Sequence, residues 1–255
     1  MQQTKAKPQF FTATRMATIA LFSALAAVLY CLNFPISFAF PSWLELNFSD
    51  IPVFIGTFAL GPVSGCIIVT VKILLKVIVL GTTTGFVGEL ADLIIGLGLV
   101  IPAGLIYKKH RTLKGAIVAM AVGSLCSTAI ALLANWLILI PFYSGVYGMD
   151  TLVSLMQGLF PDCTKENFYS YYLWISVLPF NLLRCLIACI VTLPIYKRIS
   201  NTITRLGAKL DPPVKAEDGA EAVAKNKKRT IIIACVAVGV ALILVAAVLI
   251  RYYCF

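Results

Sequence analysis

Charge is scarce in this chain: only 13% of its 255 residues are Asp, Glu, Lys or Arg. A soluble domain carries about 25% to cover its surface, so the shortfall excludes a water-facing globule of this size. Histidine is scarcer still, with His110 alone in a basic turn, and the H-E-x-x-H zinc pattern does not occur. There is no G-x-x-x-x-G-K-[ST] loop, which removes the usual phosphate cradle and with it ATP hydrolysis by this chain alone. Nucleophile elbows and intramembrane carboxylate pairs are missing as well, so the chain reads as a non-enzyme. Cysteine is present eight times, but Cys31, Cys66, Cys126, Cys185, Cys189 and Cys235 lie in apolar runs without metal-ligand spacing. They read as small buried hydrophobes, and no metal is expected.

What the chain has instead is apolar length, with 60% hydrophobic residues. A spanning helix needs about 20 apolar residues. Six blocks meet or approach that length, at residues 14–33, 51–60, 63–80, 88–107, 115–140 and 171–196. The second is too short to span alone; it begins in the preceding loop or is partly buried by its neighbours. Gly61-Pro62 makes a tight turn after it. A polar stretch at 201–230, with Asp211-Pro212-Pro213, reads as a cytoplasmic linker. A seventh apolar run at 231–250 follows Lys227-Lys228-Arg229 and is long enough to span. The expected architecture is an all-α membrane protein. It has a six-helix domain over residues 1–200, a linker, and one additional C-terminal transmembrane helix within 231–255.

The net charge of +10 would suggest nucleic acid on a soluble protein, but its distribution gives another answer. Basic residues cluster at Lys5, Lys7 and Arg15, between Lys108 and Lys114, and beyond Tyr196, whereas Lys165 and Arg251 stand alone on the other side. That asymmetry is the positive-inside rule, and it places the N-terminus in the cytoplasm of a multi-pass plasma-membrane protein. No base-stacking motif accompanies the charge, so no nucleic-acid partner is expected. Three connections then lie outside, at 34–50, 81–87 and 141–170, and long loops of this kind often carry function.

Polar residues inside apolar blocks need a reason to be there. Asn135 lies near the outer end of the fifth block, and Asn181 and Arg184 share one face of the sixth, three residues apart. Amides and a guanidinium fork suit a planar ligand with carbonyl and ring-nitrogen edges. Helix–helix hydrogen bonds and an ion pair would explain the same residues equally well. Lys72 and Lys76 share a face of the third block. They read either as ion pairs with acids among Glu45, Asp50, Glu89 and Asp92, favouring the start of the fourth block, or as ligand contacts. Trp43 to Phe48 alternates loosely and suits a short outer strand covering a cavity mouth, and Gly81-Thr82-Thr83-Thr84-Gly85 suits a gate or a plain connector. In the first block, Ala20, Ala24 and Ala27 line one face that permits close helix approach.

Leu46-Asn47-Phe48-Ser49-Asp50-Ile51-Pro52, Gly61-Pro62-Val63-Ser64-Gly65 and the run from Gly81 to Ala91 resemble the riboflavin-binding substrate subunit of energy-coupling factor (ECF) transporters. The resemblance covers about residues 10–200. It implies riboflavin bound near the outer surface as a transported ligand, no cofactor, and assembly with one membrane coupling protein and two ATPases. It implies ligand contacts at Asn135, Asn181 and Arg184, with Leu46, Phe48, Thr83 and Glu45 from the outer loops. It also implies docking of the coupling protein on Ala20 and Ala24. The family's host would be a Gram-positive bacterium. Arg184 stands where the family often has Lys, and the seventh run departs from the six-helix pattern. A substrate subunit for another vitamin, thiamine or biotin, and a membrane assembly protein without a ligand are the competing readings.

Overall fold

Thr12 starts the first helix: its hydroxyl accepts from the Arg15 backbone N–H at 3.3 Å, the N-cap arrangement Thr favours. The computed structural model describes residues 12–82 and 84–210. Helix α1 (Ala13–Cys31) leads into a loop holding two short antiparallel strands, β1 (Phe34–Pro35) and β2 (Glu45–Leu46), with Phe34 opposite Leu46. Helix α2 (Asp50–Leu60) ends at Gly61, and α3 (Pro62–Leu80) begins at once. The turn works because Gly61 takes φ +87°, open to glycine without steric cost, and Pro62 suits the first helical position.

Helices α4 (Val87–Lys109) and α5 (Leu113–Ala134) form the next antiparallel pair, with the Thr112 hydroxyl accepting from Gly115 N–H at 3.1 Å at the start of α5. The α5 backbone does not stop at Ile140 as the apolar run suggests. It passes through a π-helical segment (Asn135–Leu139) and continues as α6 (Ile140–Tyr147). After Gly148 comes α7 (Met149–Gln157), and a second π-helical segment (Ser170–Val177) runs into α8 (Leu178–Leu210). The last helix therefore extends through residues 201–210, which the sequence assigns to the linker. The rest of that linker and the apolar run 231–250 lie outside the described residues.

Five of the described stretches are long and apolar enough to cross a membrane: 13–31, 62–80, 87–109, 113–147 and 170–198. Helix α2 is not; at about 1.5 Å per residue its 11 residues cover only about 16 Å. It needs no more, because every residue from Asp50 to Leu60 is buried among α1, α3, α4 and α8. Of the two readings of the short block, burial by its neighbours is the one the fold adopts.

The burial pattern is that of a protein solvated by lipid. Leu21, Val28, Ile78, Leu125, Trp174 and Ile190 are exposed, whereas Arg15, Ser64, Lys72, Glu89, Ser127, Asn135 and Asn181 are buried. Hydrocarbon makes no hydrogen bonds, so polar groups must find partners within the bundle. Close helix contact supplies the packing. A methyl group on Gly104 would sit 2.8 Å from the Pro62 Cα, and one on Gly123 would sit 2.6 Å from the Leu99 carbonyl oxygen.

One end of the bundle carries the α2–α3 turn and the basic α4–α5 connection; we call it the basic end. Arg15 belongs here but is not a solvated positive charge, as its place in the sequence suggests. It is buried, donating through Nη2 to the Leu60 carbonyl at 2.6 Å and through Nε and Nη2 to Ser64 Oγ at 3.2 and 3.1 Å. A cation at the carboxyl end of α2 meets both its free carbonyls and its dipole. The opposite, loop end is closed by α7 and the segment after it, where Leu152, Val153, Met156, Cys163, Phe168 and Tyr172 form a core of their own. The long 141–170 connection is thus a folded cap.

Candidate functional site

The two π-helical segments meet beneath the loop end, and the residues they bring together are chemically distinctive. Asn135, the first residue of one, is buried, and its Oδ1 accepts from the Tyr172 hydroxyl of the other at 2.8 Å. The same hydroxyl accepts from Trp43 Nε1 at 3.1 Å, and Asn135 Nδ2 donates to the Ala131 carbonyl at 2.8 Å. One chain of bonds therefore joins the β1–β2 loop to both transmembrane segments. Around it lie aromatic rings: Tyr172 stacks on Phe168 at 5.6 Å and tilts against Trp43 at 6.1 Å. A π turn widens the helix by one residue and re-aims its side chains, and such turns recur at functional sites. Because the helix continues to Tyr147, Asn135 lies about 18 Å from its end rather than near it.

Near the starts of α2 and α4 the charged residues gather. Asp50, in the first turn of α2, holds two cations from different helices: Lys72 Nζ lies 3.3 Å from its Oδ1, and Arg184 Nε lies 3.2 Å from its Oδ2. Lys72 also donates to Ser49 Oγ at 2.8 Å and sits over the Tyr30 ring, 5.5 Å from its centre. The Tyr30 hydroxyl in turn donates to Asp92. Lys76 pairs with Glu89 at 2.6 Å, and Glu89 accepts from the Thr82 and Thr84 hydroxyls at 3.0 and 2.9 Å.

Of the two lysines, then, Lys76 makes the predicted pair with the start of α4, whereas Lys72 turns to the start of α2. Its neighbour there is reachable because α2 packs directly against α3. The hydroxyls of the 81–85 loop are engaged: Thr82 Oγ1 accepts from Phe86 N–H at 3.0 Å and Thr84 Oγ1 from Gly88 N–H at 3.1 Å, capping α4. Thr83 lies outside the described residues.

The remaining sequence candidates fall as follows. Asn181 is buried and donates to the Val177 carbonyl of its own helix at 2.9 Å, one turn before Arg184. Leu46 is buried on β2, while its neighbour Glu45 is exposed and accepts from Asn33. Only Glu45–Leu46 of the 43–48 stretch is strand. Phe48 is half-buried beside Phe34, ring centres 6.0 Å apart. On α1, Ala20 and Ala24 are exposed beside Leu21 and Leu25, but Ala27 is buried and leaves that face. Sequence reasoning missed Tyr172 and the twofold pairing of Asp50. A tyrosine inside an apolar run and an acid at a loop end carry no signal of their own; only partners far along the chain give them meaning.

In sequence and in overall fold the chain resembles known proteins. The family model described as "ECF transporter, substrate-specific component" matches residues 14–196. The chain is 29% identical over 192 residues to the riboflavin transporter RibU of Staphylococcus aureus, covering 75% of this chain and 93% of that one. It is 25% identical over 178 residues to the riboflavin transporter FmnP of Bacillus subtilis, covering 69% and 87% respectively. A solved structure, described as the S component of a bacterial ECF transporter, superposes with a TM-score of 0.57 at 30% identity, covering 74% of this chain and 97% of that one. With the matched region spanning all the helices that build the site, this chain belongs to the substrate-specific components of ECF transporters.

Proposed function

We propose that this chain captures riboflavin at the extracellular side of a bacterial plasma membrane and mediates its uptake with an energy-coupling module. The observation that carries the ligand is the similarity to riboflavin transporters along nearly their whole length, 93% for the S. aureus protein and 87% for that of B. subtilis. The geometry supports the same reading. Asn135 presents a buried amide among Tyr172, Trp43 and Phe168, an apolar, aromatic setting with few fixed polar groups, as flat heterocycles require. In this reading the isoalloxazine ring lies beneath the loop end. Asn135, Asn181 and Arg184 meet its polar edges, and Leu46, Phe48, Thr83 and Glu45 cover it from the loops. Amides match alternating carbonyl and ring-nitrogen groups because each offers both donors and an acceptor.

The loop end faces outward and the N-terminus inward, in keeping with the basic residues Lys108, Lys109, Arg111 and Lys114 at the opposite end. Energy comes from partners, one membrane coupling protein and two ATPases, and the exposed Ala20 and Ala24 of α1 form the docking stripe. Small side chains let a partner helix approach closely.

Titrating riboflavin with the purified chain and following its fluorescence tests the assignment. Saturable quenching at or below micromolar vitamin is expected, with no competition from thiamine or biotin. Absence of saturable quenching, or displacement by either of those vitamins, refutes it.

A further inference from the structure

We propose that Asp50 is a charge-selecting residue, which pairs with Arg184 and Lys72 and keeps the buried polar network electrically neutral so that neutral flavins are preferred over phosphorylated ones. This rests on the riboflavin reading above. The starting observation is that one carboxylate serves two buried cations at once, Lys72 from α3 at 3.3 Å and Arg184 from α8 at 3.2 Å. Asp50 is itself 3% exposed and Lys72 5%, so water screens these charges little. The other charged member is Asp92, linked through the Tyr30 hydroxyl and the ring over which Lys72 lies. Lys72 and Arg184 thus balance Asp50 and Asp92. The neighbouring Lys76–Glu89 pair is balanced within itself.

Two consequences follow for a ligand above this network. First, Asp50 holds the guanidinium as an ion pair, Nε 3.2 Å from Oδ2, and so offsets its charge beside the ligand. Second, a neutral network adds no net attraction for an anion. A ligand phosphate entering the same low-dielectric space must shed its hydration without a surplus cation to meet it. Riboflavin carries no charge to desolvate. Removing the Asp50 charge leaves one surplus cation, and Coulomb attraction over about 10 Å at an effective dielectric near 20 then favours a doubly charged phosphate by at least about tenfold.

The experiment uses the full-length chain in detergent and measures dissociation constants for riboflavin and for flavin mononucleotide by flavin fluorescence. Asp50→Asn is expected to lower the ratio of the mononucleotide Kd to the riboflavin Kd by at least about tenfold. Lys72→Gln leaves a surplus negative charge and is expected to raise the ratio. The double variant Asp50→Asn/Lys72→Gln is neutral again and is expected to return it to the wild-type value. A residue that merely supported the fold would weaken both ligands together and leave the ratio where it was; that result, or Asp50→Asn and Lys72→Gln moving the ratio in the same direction, overturns the proposal. If Asp50→Asn does not fold, Lys72→Gln and the double variant still give distinct expectations, a raised ratio and a wild-type one; equal ratios for the two overturn the proposal. Normal riboflavin binding with an unmoved ratio defeats this inference alone, whereas a wild-type chain that binds no riboflavin defeats the ligand assignment and the selectivity with it.

Discussion

Replacing Tyr172 by Phe removes a single oxygen, and the structure says what that oxygen does. The ring is 2% exposed and stacked on Phe168, and Phe retains that packing. What is lost is the bond to Asn135 Oδ1 at 2.8 Å and the bond from Trp43 Nε1 at 3.1 Å. Each ordinary hydrogen bond contributes about 1 kcal/mol net, and a buried group left unpaired costs about 1–3 kcal/mol. Freed from Tyr172, the Asn135 amide keeps only its bond to the Ala131 carbonyl and loses the contact that sets its orientation. If that orientation is what the flavin ring meets, riboflavin binding should weaken by about 10- to 100-fold, or about 1.4–2.8 kcal/mol. Asn135→Ala should lose at least as much. The double variant should be little worse than Asn135→Ala alone, because the hydroxyl acts through the amide. Fluorescence titrations of the four proteins close the cycle. Additive losses, or a Tyr172→Phe affinity within about twofold of wild type beside a large Asn135→Ala loss, would refute the idea that Tyr172 positions Asn135.

Two further perturbations separate the ends of the molecule. Ala24→Trp places a large side chain on the exposed stripe of α1; vesicle uptake with the coupling module should fall by at least about tenfold, while the riboflavin Kd stays within about twofold. A loss of binding instead would show that this face packs within the chain. Arg15→Met retains bulk but removes the bonds to Leu60 and Ser64. Charge-assisted bonds are worth about 1.5–3 kcal/mol, so the melting temperature should drop by several degrees with ligand affinity unchanged, and an unaltered melting curve would contradict the capping role.

How much of this was legible beforehand differs by element. The long helices were, because lipid demands continuous apolar runs and Gly-Pro and Gly-Thr sequences punctuate them. The end of the fifth was not: Pro141 and Tyr143 look like loop, yet the chain stays helical to Tyr147, since Pro is harmless in the first turn of a segment entered through a π turn. Asn135, Asn181 and Arg184 stood out because polarity in an apolar run is costly and therefore informative. Tyr172 did not, because Tyr sits comfortably in apolar runs and only its hydroxyl partner gives it a role. Spacing placed Ala20, Ala24 and Ala27 on one face, but which part of a stripe is covered depends on where neighbouring helices cross it, and Ala27 is covered.

The charges show most plainly where sequence reasoning stops. Cost alone predicts that Lys72, Lys76 and Arg184 have partners, and they do. It does not predict the assignment, because residues 50 and 184 are far apart along the chain and meet only once α2 lies against α8. The short length of α2 makes that meeting possible. A helix long enough to span would carry its first turn to the membrane surface, where an Asp needs no partner. At 11 residues, α2 instead begins at the depth of Lys72, and its first-turn carboxylate is delivered among cations that would otherwise be unpaired. The shortness of the second block, too short to span alone, is therefore what places the negative charge within the polar network.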